Sequence, residues 1–151
     1  MKFLQASVKD ANEILNLQKS AFQIEAELYK NYDILPLKET IEEITQSFKN
    51  CIFVKAVDKE KIIGAVRAFE KDGTCYIGRL AVSKEMQNRG IGTLLMNEIE
   101  KYFKTKRFEL FTGAKSEKNI QLYKKLGYLP FGEKKSGCGG LAEVIFMEKI
   151  I

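Results

Sequence analysis

The stretch MQNRGIGTLLMNEIE at residues 86–100 sets two glycines, Gly90 and Gly92, directly before an apolar pattern of helical spacing. Glycine costs roughly 1 kcal/mol against alanine inside a helix, so its use at a helix start calls for a reason. A helix N-terminus exposes unpaired N–H groups and carries partial positive charge. Glycines there let a phosphate approach with no Cβ in the way. Gln87, Asn88, Arg89, Ile91 and Thr93 complete the run, Arg89 adding a fixed charge and Thr93 a hydroxyl. The chemistry implied is the gripping of a pyrophosphate. A Walker A loop is excluded, because no G-x-x-x-x-G-K-[ST] occurs. A dinucleotide turn is disfavoured, because Leu95 stands where G-x-G-x-x-G needs its third glycine and the turn lies deep in the chain. What remains is [QR]-x-x-G-x-[GA], carried by Gln87, Gly90 and Gly92, and an ordinary turn satisfies the same letters.

Other chemistries are removed by composition. Histidine is absent, so Ser-His-Asp and Cys-His nucleophiles, imidazole metal ligands and a histidine base are excluded. Cys51, Cys75 and Cys138 are odd in number, widely spaced and without a CxxC, which predicts unreactive thiols and no metal. A covalent route through Cys75 has no histidine to activate it. No run approaches the ~18–20 apolar residues that span a bilayer, and MKFLQASVKDANEIL holds no long apolar signal core. A cytoplasmic protein without a membrane partner is expected. The net charge of +5 is uneven: residues 1–75 carry 11 basic and 12 acidic side chains, residues 76–151 carry 14 and 8. The second half suits a polyanionic ligand. The basic run KYFKTKRF at 101–108 alternates like a helix end entering a strand, so nucleic acid is not read as a partner.

The elements that must carry the turn are legible by period. The 151 residues fit one domain, 1–151, with no repeat or linker. KFLQA (2–6) predicts a strand, and Ser7 with Asp10 a capping box opening a helix to about residue 29. Residues 29–37 form a loop that Pro36 helps end, and 38–49 a second helix. CIFVKAVD (51–58), KIIGAVRAFEK (61–71) and TCYIGRLAVS (74–83) form a meander, with Asp72-Gly73 as its hairpin turn. A helix at about 90–104, a strand at 107–114, a helix from Ser116 to about Leu126 and strands at 128–134 and 141–150 follow, around the loop KSGCGG. The order β-α-α-β-β-β-α-β-α-β-β predicts a mixed α/β sheet, antiparallel first and parallel at the β-α-β crossover, with helices on its faces. The late strands end the sheet at an edge, a pairing hazard for which homodimerisation is one solution.

Leu80-Ala81-Val82 precedes the glycine turn, and SEKNIQLYKKLGY (116–128) supplies Leu122-Tyr123, Gly127 and Tyr128 after the next strand. With Gln87, Gly90 and Gly92, these segments resemble the GCN5-related N-acetyltransferase (GNAT) superfamily, in motif detail over 74–131 and in element order throughout. Two positions depart from it. Ser116 stands where the family commonly has Asn, with Asn119 one turn on, and Phe111 stands where a strand Glu is often found.

The resemblance implies an acyl-CoA N-acyltransferase fold and an enzyme that moves acetyl from acetyl-CoA to a primary amine by direct attack, a small molecule favoured over a protein, with polyamine, amino acid, aminoglycoside and protein N-terminus all open as acceptors. The strands at 74–83 and 107–113 would splay. The backbone of Leu80, Ala81 and Val82 would then hold the pantetheine arm as a pseudo-strand and polarise the thioester carbonyl. Residues 87–93 would hold the pyrophosphate, and Ser116 or Asn119 the arm. Tyr123 is the matched general acid, since a phenol with pKa ~10 is protonated at neutral pH. No base is assigned by the family pattern; Glu70, Tyr76, Glu109, Glu25 and Glu27 are candidates. The segment FQIEAELYKNYDILPL (22–37) would lid the acceptor, with Glu25, Glu27, Tyr29, Tyr32 and Asp33 facing a cationic amine. A non-catalytic acyl-CoA-binding or regulatory domain of the same fold and a nucleotide-binding interaction module are the competing classes. Thiol release across an amine panel and ligand-dependent stabilisation discriminate them.

Overall fold

The computed structural model describes residues 1–132 and 143–151. Cys138, the loop KSGCGG and the outer ends of the strands predicted at 128–134 and 141–150 lie outside these residues.

Strand β1 (Lys2–Gln5) leads through a 3-10 turn at Val8–Asp10 into α1 (Ala11–Tyr29). The Ser7/Asp10 capping box forms, with the Ser7 N–H donating to the Asp10 carboxylate at 3.0 Å, but it opens the 3-10 turn rather than the helix itself. Residues read as loop contain one helical turn, α2 (Leu35–Lys38). Pro36 opens that turn instead of ending a loop, because its missing N–H costs nothing at a helix start. Helix α3 (Ile41–Ser47) is shorter than predicted, since the Thr40 hydroxyl accepts the Glu43 N–H at 3.1 Å and fixes the start there.

Strands β2 (Ile52–Asp58), β3 (Lys61–Lys71) and β4 (Thr74–Val82) form the antiparallel meander. Asp72 and Gly73 turn it with φ of 50° and 81°, the left-handed pair a tight hairpin needs. A 3-10 turn at Lys84–Met86, α4 (Ile91–Glu100), β5 (Arg107–Gly113), α5 (Glu117–Lys125), β6 (Leu129–Pro130) and β7 (Val144–Ile150) complete one sheet of order β1-β2-β3-β4-β5-β7-β6. Helix α4 buries Leu95, Met96 and Ile99 against Val54, Val66 and Phe108, while α1 buries Ile14, Leu15 and Leu17 with Phe53 and Ala65. Each such fully buried aliphatic side chain contributes about 1.5–3 kcal/mol.

Two irregularities of β4 create the site. Ala65 pairs with Ala81 but Arg67 pairs with Gly78, so Arg79 and Leu80 face the single residue Val66. This bulge holds Arg79 at φ 53°. The parallel pairing of β4 with β5 spans only Thr74–Tyr76 against Arg107–Glu109. From Ile77 onward no β5 residue pairs with β4, and the two strands diverge.

Candidate active site

The bend between β4 and α4 is built by its two glycines for different reasons. Gly90 is the N-cap of α4 at φ 79°, a conformation in which a side chain is strained. A Cβ on Gly92 would meet Leu122 Cδ2 at 3.4 Å and Leu80 Cδ2 at 3.7 Å, so Gly92 lets the helix start pack closely between β4 and α5. The Gln87 amide does not project outward: its Nε2 donates to the Val82 carbonyl at 3.1 Å and ties the bend to the strand end. Arg89 is exposed.

Two clefts open where β4 and β5 part. The first, of about 590 Å³, runs from Leu80–Val82 past Gln87, Asn88, Gly90, Ile91, Gly92 and Thr93 to Ser116 and Asn119. The second, of about 510 Å³, lies under α1 and α2 between Ile77–Leu80 and Leu110–Gly113, with Tyr123 in its wall. Phe22, Glu25, Leu80 and Asn119 line both.

At this junction the Ser116 hydroxyl donates to Glu25 Oε1 and lies 3.4 Å from the Tyr29 hydroxyl, which accepts the Lys115 N–H at 2.6 Å. The C-terminal half of α1 is thereby strapped to the β5–α5 connection. Gly113 makes room for it, since a Cβ there would strike the Tyr29 hydroxyl and lie 2.9 Å from Glu25 Oε1. Burial pushes the Glu25 carboxyl above its ordinary pKa against the opposing Ser116 hydrogen bond. Tyr123 is buried, and desolvation followed by the Glu25 charge pushes its phenol well above the ordinary value. The buried Cys75 thiol is pushed up to about 12 by desolvation, with Glu100 and Glu70 adding to it, and lines neither cleft. Cys51 is also raised, chiefly by burial.

A second polar cluster backs the site. Glu39, buried after α2, accepts from Arg67 Nη1 and Nη2 at 2.9 and 2.8 Å, from Gln18 Nε2 at 2.9 Å and from Arg79 Nη1 at 2.6 Å. Burial raises its pKa, but the hydrogen bonds from Arg67 and Gln18 and the two guanidinium charges hold it below the ordinary carboxylate range. Burial lowers the Arg79 pKa while Glu39 opposes the change.

The structure brings Leu80, Ala81, Val82, the 87–93 bend, Ser116, Asn119, Tyr123 and Glu25 together. It places Glu27, Glu70, Tyr76 and Glu109 outside both clefts. Glu27 is exposed, two residues and thus about 200° around the helix from Glu25. Glu70 pairs with Cys75 near the hairpin turn, far along β4 from the divergence. Tyr76 stacks on Phe69 at 5.3 Å where β4 is still paired, and Glu109 takes the Arg107 guanidinium at 2.8 Å. Tyr32 and Asp33 are exposed, Asp33 lying 3.6 Å from Lys38. Glu39, Arg67 and Phe22 were not singled out by spacing; an arginine inside the apolar run AVRAF was the one local signal for the buried pair.

The model of the Acetyltransferase (GNAT) family matches residues 11–128. The uncharacterized N-acetyltransferase YjcF of Bacillus subtilis (strain 168) is 27% identical over 130 residues, covering 86% of this chain and 91% of that protein. The PaiA N-acetyltransferase of Thermoplasma acidophilum, solved in complex with coenzyme A, superposes with TM-score 0.75 at 19% identity, over 99% of this chain and 98% of its own. The smu.2055 structure from Streptococcus mutans UA159 reaches TM-score 0.81 at 19% identity, over 99% of both chains. With the family model spanning most of its length and this fold beneath it, the chain belongs to the acetyltransferase (GNAT) family, and acetyl-CoA is the acetyl donor of its N-acetyltransferase reaction.

Proposed function

We propose that the chain acetylates a small-molecule primary amine by direct attack on acetyl-CoA, with the donor in the first cleft and the acceptor in the second. The observation that carries this reading is the junction of the two clefts, where Glu25 and Tyr123 flank the gap beside Leu80. Acetyl-CoA supplies an activated thioester. The N–H groups at the start of α4 and the Asn88–Thr93 backbone take its pyrophosphate. The backbone of Leu80–Val82, left without β5 partners, takes the amide-bearing arm. Asn119 fits the arm better than Ser116, because the Ser116 hydroxyl is committed to Glu25 while no protein hydrogen bond occupies the Asn119 amide among the described residues.

Glu25 accepts the ammonium proton, directly or through one water, and the freed amine forms the new C–N bond. The C–S bond breaks, the Tyr123 hydroxyl gives its proton to the departing thiolate, and the second proton shed by the new amide nitrogen restores the phenol, leaving the one on Glu25 to pass to solvent. A backbone N–H near Leu80 steadies the carbonyl oxygen as charge develops on it. A second cleft roofed by Phe22, Ile34 and Pro36 and of about 510 Å³ suits a small acceptor rather than a polypeptide.

The test is thiol release from acetyl-CoA across an amine panel, with binding measured separately. Amine-dependent release supports the reading. Binding without release from any amine identifies a non-catalytic acyl-CoA-binding domain instead.

A further inference from the structure

The acceptor cleft holds one carboxylate, Glu25, and one guanidinium, Arg79, in a wall that is otherwise largely apolar: Ile34, Leu35, Ile77, Leu110, Phe111 and Phe146. Arg79 is there because the β4 bulge puts it at φ 53°. Its Nη1 is fixed on Glu39, yet Glu39 already receives both Arg67 nitrogens and Gln18. Within this cluster one carboxylate is shared by two guanidinium groups, with Glu43 acting on Arg79 only through its field, so Arg79 presents positive charge at its part of the cleft wall, opposite in sign to Glu25. The Arg79 side chain is 25% exposed, and among the described residues no hydrogen bond engages its other nitrogens. Those donors are held in the planar fork that matches a carboxylate.

A polycation fits this cleft poorly. Each further ammonium group needs a carboxylate, and among the described residues Glu25 is the only one in the wall. Arg79 would repel the extra charge where low dielectric screens it weakly. We propose that the acceptor is an amino carboxylate with an apolar side chain, such as an apolar amino acid, with its carboxylate on Arg79, its amine toward Glu25 and its side chain against Ile34, Leu110 and Phe146. This rests on the acetyltransferase reading above and narrows its substrate class.

The experiment compares kcat/KM for leucine and phenylalanine with their amides, with isopentylamine and phenethylamine, and with spermidine. A charge-assisted hydrogen bond predicts that each amino acid exceeds its neutral-tailed counterparts by about 10–100-fold. Arg79→Met should cut that ratio to within about twofold, and Arg79→Lys should keep part of it. A ratio measured within one variant does not depend on how much of the enzyme is folded, and stabilisation by acetyl-CoA verifies the fold. Amides or amines that equal the acids, spermidine as the best acceptor, or a ratio that survives Arg79→Met overturns the inference alone. Acetyl-CoA binding with no amine acetylated overturns the acetyltransferase reading as well.

Discussion

Glu25 and Tyr123 share a cleft wall but are pushed toward opposite tasks. Desolvation keeps the Tyr123 proton in place at neutral pH, and the negative charge of Glu25 adds to the effect. In the proposed mechanism Tyr123→Phe removes the donated proton and nothing that binds the donor. It should lower kcat by about 100-fold, within the range for general acid catalysis, and leave the acetyl-CoA Kd within about twofold by titration calorimetry. The raised pKa of Glu25 places its loss of charge above the usual carboxylate range of about 4.3. As a base it acts when deprotonated, so kcat/KM should fall on the acid side with a limb above that range, and Glu25→Gln should flatten the limb. Stability should move the other way. A carboxyl whose folded pKa is raised binds more protons folded than unfolded, so it costs stability as pH rises through the folded value. Glu25→Gln, which keeps an oxygen for Ser116, should therefore melt higher than the parent at pH 8, the gap closing toward pH 4. Glu27→Gln, on the outer face of the same helix, should alter neither profile.

At the scale of elements, the Glu39 cluster joins α1 through Gln18, the α2–α3 connection through Glu39, β3 through Arg67 and the β4 bulge through Arg79. Glu39→Gln leaves two half-buried guanidinium groups without their shared carboxylate. Removing one partner of a buried pair costs roughly 3–5 kcal/mol, and the partial exposure of Arg79 argues for the low end. About 3 kcal/mol corresponds to a fall of about 10 °C in Tm for a chain of this size, readable by circular dichroism. The depressed folded pKa of Glu39 means its contribution is present above the unfolded value of about 4.3 and is lost as pH falls through the folded one. None of this cluster was legible as a unit, because residues 18, 39, 67 and 79 meet only through sheet pairing and helix docking. The glycine bend and the Asp72-Gly73 turn were legible, since each is written in adjacent residues. The misplacement of Glu27 was one of helical phase. That of Glu70 and Tyr76 came from not knowing where along β4 the pairing with β5 stops.

Across the whole molecule, the parallel crossover sets the backbone proposed to hold the donor, Leu80–Val82 and the 87–93 bend, in the second half of the sequence, the half that carries the excess of basic residues. The segment 22–37, proposed to cover the acceptor, comes from the first half, whose charges nearly cancel. A polyanionic donor therefore approaches a positive field, whereas the zwitterionic acceptor proposed above carries no net charge for a field to act on. The two substrates should respond differently to salt. The Debye length shrinks from about 30 Å at 0.01 M to about 10 Å at 0.1 M ionic strength, so kcat/KM for acetyl-CoA should fall several-fold over that span while the acceptor KM changes little. Field alone does not discriminate among polyanions; in the proposed reading the close approach of Leu80 and Leu122 to Gly92 and the unpaired Leu80–Val82 backbone do so. A ligand that binds only the folded state stabilises it by about 2.7 kcal/mol at 100 times its Kd. Coenzyme A should therefore raise Tm by several degrees, and ATP and NAD at the same concentration should raise it much less. Gly92→Val, which fills the gap beside Leu122, should abolish the coenzyme A shift. Equal shifts from all three ligands would mean that charge alone recruits them and that the bend is an ordinary turn.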